Sequence, residues 1–259
     1  MTTRALIGLL FAAASTAAAQ GGDFHWTGKL APGKRLEIRG VNGDVRATAA
    51  ADDQITVTAR KHARRSDPDE VKIEVVPFDG GVAICAVYPT GRRAREENTC
   101  EPGDSWHSNT ENNDVRVDFT VSVPKGVEFD GKTVNGDAEA EGLTANVTLS
   151  TVNGGIQLST TGYAEAQTIN GSIVATMGRA DWTGPMEFST VNGGITLNLP
   201  ATLSTEIRAE TLNGDIDSDF PMTVSGRFGP RRVRATIGAG GRTLDLKTVN
   251  GSIRLRKGA

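Results

Sequence analysis

From Val127 to the end of the chain, apolar and polar residues alternate in short runs. Val147 and Leu149, Ala164 and Ala166, Met186 and Phe188, Ile207 and Ala209, and Leu244 and Leu246 take every second position. Ser150, Gln167, Ser189, Glu210 and Lys247 lie on the opposite phase. A period of two places successive side chains on opposite faces of an extended chain, so these runs predict half-buried strands. A second alternation follows each first one, in Ile156 and Leu158, Ile173 and Ala175, Ile195, Leu197 and Leu199, and Ile253 and Leu255. Each unit therefore reads as strand, corner, strand and a looser turn.

The corner is a fixed phrase. Asparagine followed by glycine recurs at Asn42, Asn135, Asn153, Asn170, Asn192, Asn213 and Asn250, each with an aliphatic residue before it. In the last six copies a threonine stands two residues ahead, at Thr133, Thr151, Thr168, Thr190, Thr211 and Thr248. From Asn135 the intervals are 18, 17, 22, 21 and 37 residues, and the last reads as two units with a degenerate copy near Ile237–Gly241. A period of about 19 residues belongs to repeat architectures.

Two all-β architectures use such a unit. In an antiparallel stack of hairpins, Asn-Gly makes a primed turn with positive φ at both residues. In a parallel β-solenoid it makes a corner, and equivalent residues of successive coils stack ~4.8 Å apart. The solenoid is preferred, because only coil stacking gives threonine, asparagine and a branched residue a reason to recur at identical offsets. It predicts an asparagine ladder of the cross-β kind and a second ladder of threonines. Six to seven coils would make a rod on the order of 30 Å long.

The remaining organisation is read from composition. Arg4, the apolar run Ala5–Ala14 and the small residues ending in Ala17-Ala18-Ala19 form the three-part layout of a secretory signal peptide, giving residues 1–19. Residues 20–125 read as a β-rich capping half, with strand-like runs at Ile55–Thr58, Val71–Val75, Val82–Val87 and Val115–Val121. Residues 126–259 read as the repeat solenoid. Cys85 and Cys100 are the only cysteines, and in an oxidising compartment they predict a disulfide. A redox role is disfavoured because the C-x-x-C spacing is absent. Export would place the protein in the periplasm, on the cell surface or in the medium.

Charge and composition narrow the function. There are 28 basic and 31 acidic side chains, which argues against a nucleic-acid partner. The apolar run near Ala5 is shorter than the ~20 residues of a spanning helix, so the chain is not expected to span a membrane. Three scattered histidines suggest no metal site and no cofactor. The 31 glycines and only 5% aromatic residues suit a thin interior made of two facing layers.

The Thr-Val-Asn-Gly repeats, the run Cys85-Ala86-Val87-Tyr88-Pro89 with Cys100, and the stretch Val117–Val127 resemble the bacterial putative-adhesin β-strand repeat family, catalogued as domain of unknown function 4097. The resemblance implies an exported repetitive β-fold without established chemistry, and it brings no catalytic residues. Two surface features remain as candidates. Asp215, Asp217 and Asp219 share a strand face, as a solvated face or as a calcium or sugar site. Arg231, Arg232 and Arg234 form a candidate contact site for an anionic partner. The leading expectation is a non-enzymatic envelope protein binding a polymer or protein partner. The alternatives are a carbohydrate-active solenoid enzyme and an envelope-stress or regulatory component.

Overall fold

A computed structural model describes residues 23–103, 106–178, 186–224 and 231–258. The signal-peptide expectation at 1–19 lies outside these residues. The chain forms two facing sheets, of 10 and 11 strands. The N-terminal strands are β1 (Asp23–Gly28), β2 (Arg35–Arg39), β3 (Val45–Ala49), β4 (Ile55–His62), β5 (Lys72–Phe78), β6 (Gly81–Val87) and β7 (Arg116–Val123). Four coils follow, as β8 (Glu128–Lys132) with β9 (Ala138–Leu143), β10 (Val147–Ser150) with β11 (Ile156–Thr160), β12 (Ala164–Gln167) with β13 (Ile173–Met177), and β14 (Met186–Ser189) with β15 (Ile195–Leu199). The C-terminal part holds β16 (Thr205–Glu210), β17 (Ile216–Ser218), β18 (Met222–Val224), β19 (Arg232–Ile237), β20 (Thr243–Lys247) and β21 (Ile253–Lys257).

The first sheet runs β1-β4-β7-β3-β9-β11-β13-β15-β21-β17, and the second runs β18-β19-β16-β20-β14-β12-β10-β8-β2-β6-β5. From β7 to β17, and from β16 to β6, neighbouring strands are parallel with equivalent residues in register, apart from a shift between β9 and β11 at Leu158–Thr160. This is the solenoid. Antiparallel strands close three of its four margins, β1 and β4 beside β7, β5 beside β6, and β19 with β18 beside β16, while among the described residues the first sheet ends on the parallel strand β17. Such strands satisfy edge groups that an open coil would expose.

Asparagine conformation separates the two architectures. Asn112 is the one non-glycine residue with positive φ among the described residues, so no corner asparagine adopts the primed-turn geometry that a hairpin requires. Stacking also explains the scarcity of aromatics. One interior row of the second sheet runs Gly131, Leu149, Ala166, Phe188, Leu246, Ala209. No aromatic residue has an aromatic neighbour along it, and the facing sheet stacks Ile156, Ile173, Ile195 and Ile253 in one row, so aliphatic and small side chains fill the thin interior.

The structure corrects the reading of the 37-residue interval. Ile237–Gly241 is no degenerate coil, because β19 runs antiparallel to β16 and the segment after it is a turn into β20. The last coil in sequence, β20 with β21, lies between the coil of Asn192 and the coil of Asn213. The antiparallel β19 occupies the outer margin of β16, so the final coil takes the inner one.

Candidate functional site

The corner is the most regular surface of the molecule. Each asparagine Nδ2 donates to the Oδ1 of the asparagine in the next coil, from Asn135 to Asn42 (2.8 Å), Asn153 to Asn135 (2.9 Å), Asn170 to Asn153 (2.8 Å) and Asn192 to Asn170 (2.8 Å). The ladder continues from Asn250 to Asn192 (2.7 Å) and from Asn213 to Asn250 (2.8 Å). Backbone bonds reinforce each step, as where Gly154 N donates to Asn170 O and Asn170 N to Val152 O.

The threonines do not bond one another, contrary to the second ladder expected. Each hydroxyl donates to the carbonyl of the corner glycine one coil away, Thr133 to Gly43 (2.8 Å), Thr151 to Gly136 (2.9 Å), Thr168 to Gly154 (3.0 Å), Thr190 to Gly171 (2.8 Å), Thr248 to Gly193 (2.8 Å) and Thr211 to Gly251 (2.8 Å). All six threonines are buried. The same carbonyls explain the glycine, since a Cβ at Gly193 would meet Gly171 O at 1.9 Å.

The residue between threonine and asparagine is half-buried at Val134 and Val152 and exposed in the four other copies. Ile169, Val191, Val249 and Leu212 are the large hydrophobics exposed at these corners, Leu212 most of all at 57%. Isolated exposed apolar residues are ordinary, but a row on adjacent coils is a patch. In spatial order the row runs Ile169, Val191, Val249, Leu212, following the asparagine ladder.

The disulfide is present, with Cys85 and Cys100 joined and their Cα atoms 5.5 Å apart. It holds the 88–115 loop onto the outer face of the second sheet. Asn98 organises that loop by donating to Tyr88 O and Asn109 O and accepting from Asn109 N. Tyr88 donates to Val115 O at 2.8 Å, and burial pushes its phenol up to about 12. Under the loop, Arg39 forms a buried bidentate pair with Asp130 (2.9 and 3.0 Å) and reaches Glu37 at 2.8 Å. Gly103 N closes the cluster by donating to Glu37. Sequence reasoning passed over this cluster, because its three charges come together only when β2 and β8 pair and the loop folds over them. Arg92, Arg93 and Arg95 stay exposed on the loop.

Asp217 and Asp219 grip Arg256, at 2.7 and 3.1 Å, while Asp215 donates its amide to Ser252 Oγ. The hydrogen bond from Arg256 holds the Asp217 carboxyl below the usual range. No group of three or more metal-ligating side chains converges among the described residues. Arg231, Arg232 and Arg234 lie exposed at the start of β19, with Arg232 paired to Glu210.

A shallow polar hollow of about 300 Å³ on the second sheet is lined by Arg35, Glu128, Asp130, Asn146, Tyr163 and Glu165, among others. Its carboxylates are occupied within the chain. Glu128 accepts from Asn146 (2.7 Å) and Arg35, Asp130 binds Arg39, and Glu165 accepts from the Tyr163 hydroxyl. No helix among the described residues is long and apolar enough to cross a membrane.

No curated protein matches the chain in sequence. Among solved structures, it is similar to a putative cell adhesion protein from Clostridium sporogenes, at 13% identity and a TM-score of 0.47, over 90% of this chain and 98% of the other. It is also similar to a putative adhesin from Bacteroides fragilis, at 13% identity and a TM-score of 0.36, over 92% and 98% of the two chains. The family model described as Toastrack DUF4097 matches residues 104–256, and the chain belongs to that family.

Proposed function

We propose that the protein is an exported, non-enzymatic binding protein of the bacterial envelope that holds a polymer or protein partner along its solenoid corner. The observation that carries this reading is the exposed row Ile169, Val191, Val249, Leu212, mounted on a hydrogen-bonded ladder. A rigid, periodic, partly apolar strip offers contact area at little ordering cost. Export is supported by the Cys85–Cys100 disulfide and by the secretory layout of residues 1–19. The intramolecular pairing of the carboxylates in the polar hollow favours binding over acid–base chemistry.

The test is capture from crosslinked bacterial envelopes by residues 20–259, compared with Val191→Lys and Leu212→Lys. These exposed substitutions are expected to leave the melting temperature within a few degrees and to lower capture at least about tenfold. Undiminished capture by both variants, or release of cleaved glycan by the unmodified protein, would overturn the reading.

A further inference from the structure

A face away from the corner carries an unusual arrangement of charges. On the outer side of the second sheet, the register of β14, β20, β16 and β19 sets side chains in rows. In one row Glu187 stands beside Asp245, Asp245 beside Arg208, and Arg208 beside Arg234. The next row runs Ser189, Lys247, Glu210, Arg232. All eight point outward, because their flanking residues Met186, Phe188, Leu244, Leu246, Ile207, Ala209, Val233 and Ala235 are buried.

The first row is an unfavourable arrangement for an isolated sheet. Like charges directly opposite each other on neighbouring strands destabilise it, and this row contains two such pairs, Glu187 with Asp245 and Arg208 with Arg234. Glu187 is partly compensated by Lys247 at 3.2 Å, and Arg232 pairs with Glu210. Asp245, Arg208 and Arg234 make no ion pair among the described residues.

Two negative charges followed by two positive ones form a self-complementary sequence. A twofold axis running along the strands between β20 and β16 reverses strand order and keeps each row on itself. It sets Asp245 of one copy against Arg208 of the other, Glu187 against Arg234, Lys247 against Glu210, and Ser189 against Arg232. Every charge of the first row then meets its opposite, and each pair occurs twice, as in an isologous interface. An anionic polymer would match Arg208 and Arg234 but be repelled by Glu187 and Asp245 on the same row.

We infer that this face is a homodimer contact of twofold symmetry, with Asp245–Arg208 at its centre. Four strands span only ~14 Å at ~4.8 Å spacing, so the area falls below the ~800 Å² per partner of a standard interface. The contact is accordingly weak, electrostatic and salt-sensitive. It involves residues apart from the corner and does not depend on the proposed corner function.

Sedimentation velocity of residues 20–259 across a concentration series tests it, at ionic strengths of about 0.01 M and about 1 M, where screening lengths are ~30 and ~3 Å. A concentration-dependent dimer is expected at low salt and a monomer at high salt. Arg208→Asp and Asp245→Arg should each raise the dimer dissociation constant at least about tenfold. The double variant, which exchanges the charges across the axis, should restore it. A monomer at every concentration in low salt would overturn the inference, as would single variants as dimeric as the parent or a double variant that fails to recover. An unmodified protein that stays monomeric but binds polyphosphate through Arg208 would assign the face to an anionic polymer and equally refute the dimer.

Discussion

At the scale of single residues, the corner phrase is a set of steric and hydrogen-bonding requirements rather than a turn preference. Gly193 is needed because a methyl group there would collide with Gly171 O, whereas at Gly155 the nearest atom would be Ser172 O at 3.5 Å, an ordinary contact. Gly193→Ala should therefore cost on the order of 2–4 kcal/mol, while Gly155→Ala should be neutral or slightly stabilising. Thermal melts of the two variants check this directly. The carboxylates predict the pH response. For Asp44, burial acts to raise the pKa, but the Asp137 amide and the guanidiniums of Arg116 and Arg46 outweigh it and leave the pKa lowered. The Ser66 amide above all, with Arg65, holds Asp114 at about 2. Both folded pKa values lie below the ordinary 3.8, so this stabilisation is complete above that value and lost as pH falls through the folded ones. A plot of melting temperature against pH should fall between about pH 4 and pH 2, less steeply in Asp44→Asn.

At the scale of elements, much was legible from sequence because each signal was local. Period-two runs mark strands wherever one face is buried, and the four N-terminal runs at Ile55, Val71, Val82 and Val115 fall on or beside β4, β5, β6 and β7. The asparagine ladder followed from identical offsets. The acceptors of the threonines did not, because nothing in the sequence says that the glycine carbonyl turns toward the neighbouring coil. Nor could spacing bring Arg39, Glu37 and Asp130 together beneath the 88–115 loop. The disulfide pins that loop, and reducing it is expected to remove about 2–4 kcal/mol from the loop region. Hydrogen exchange should then rise across residues 88–115 and at β2 and β8, while the corner amides near Asn153 and Asn170 stay protected.

At the scale of the whole molecule, the order of coils in space departs from their order along the chain. Sequence reasoning missed this because strand alternation specifies which face is buried but not which strand lies alongside. For the same reason Arg231, Arg232 and Arg234 were visible as a basic cluster, whereas Arg208 joined them only through antiparallel pairing of β16 with β19. The threading bears on the proposed corner contact, since Val249 fills the exposed row between Val191 and Leu212 and makes it continuous. Cysteine pairs at ladder positions give the most direct test, because adjacent coils place Cα atoms within disulfide reach and coils two apart do not. Under mild oxidation, with bridges located by mass spectrometry, Asn192→Cys combined with Asn250→Cys should crosslink within the chain, and Asn192→Cys combined with Asn213→Cys should not. Crosslinking of 192 to 213 in place of 192 to 250 would contradict the threaded solenoid.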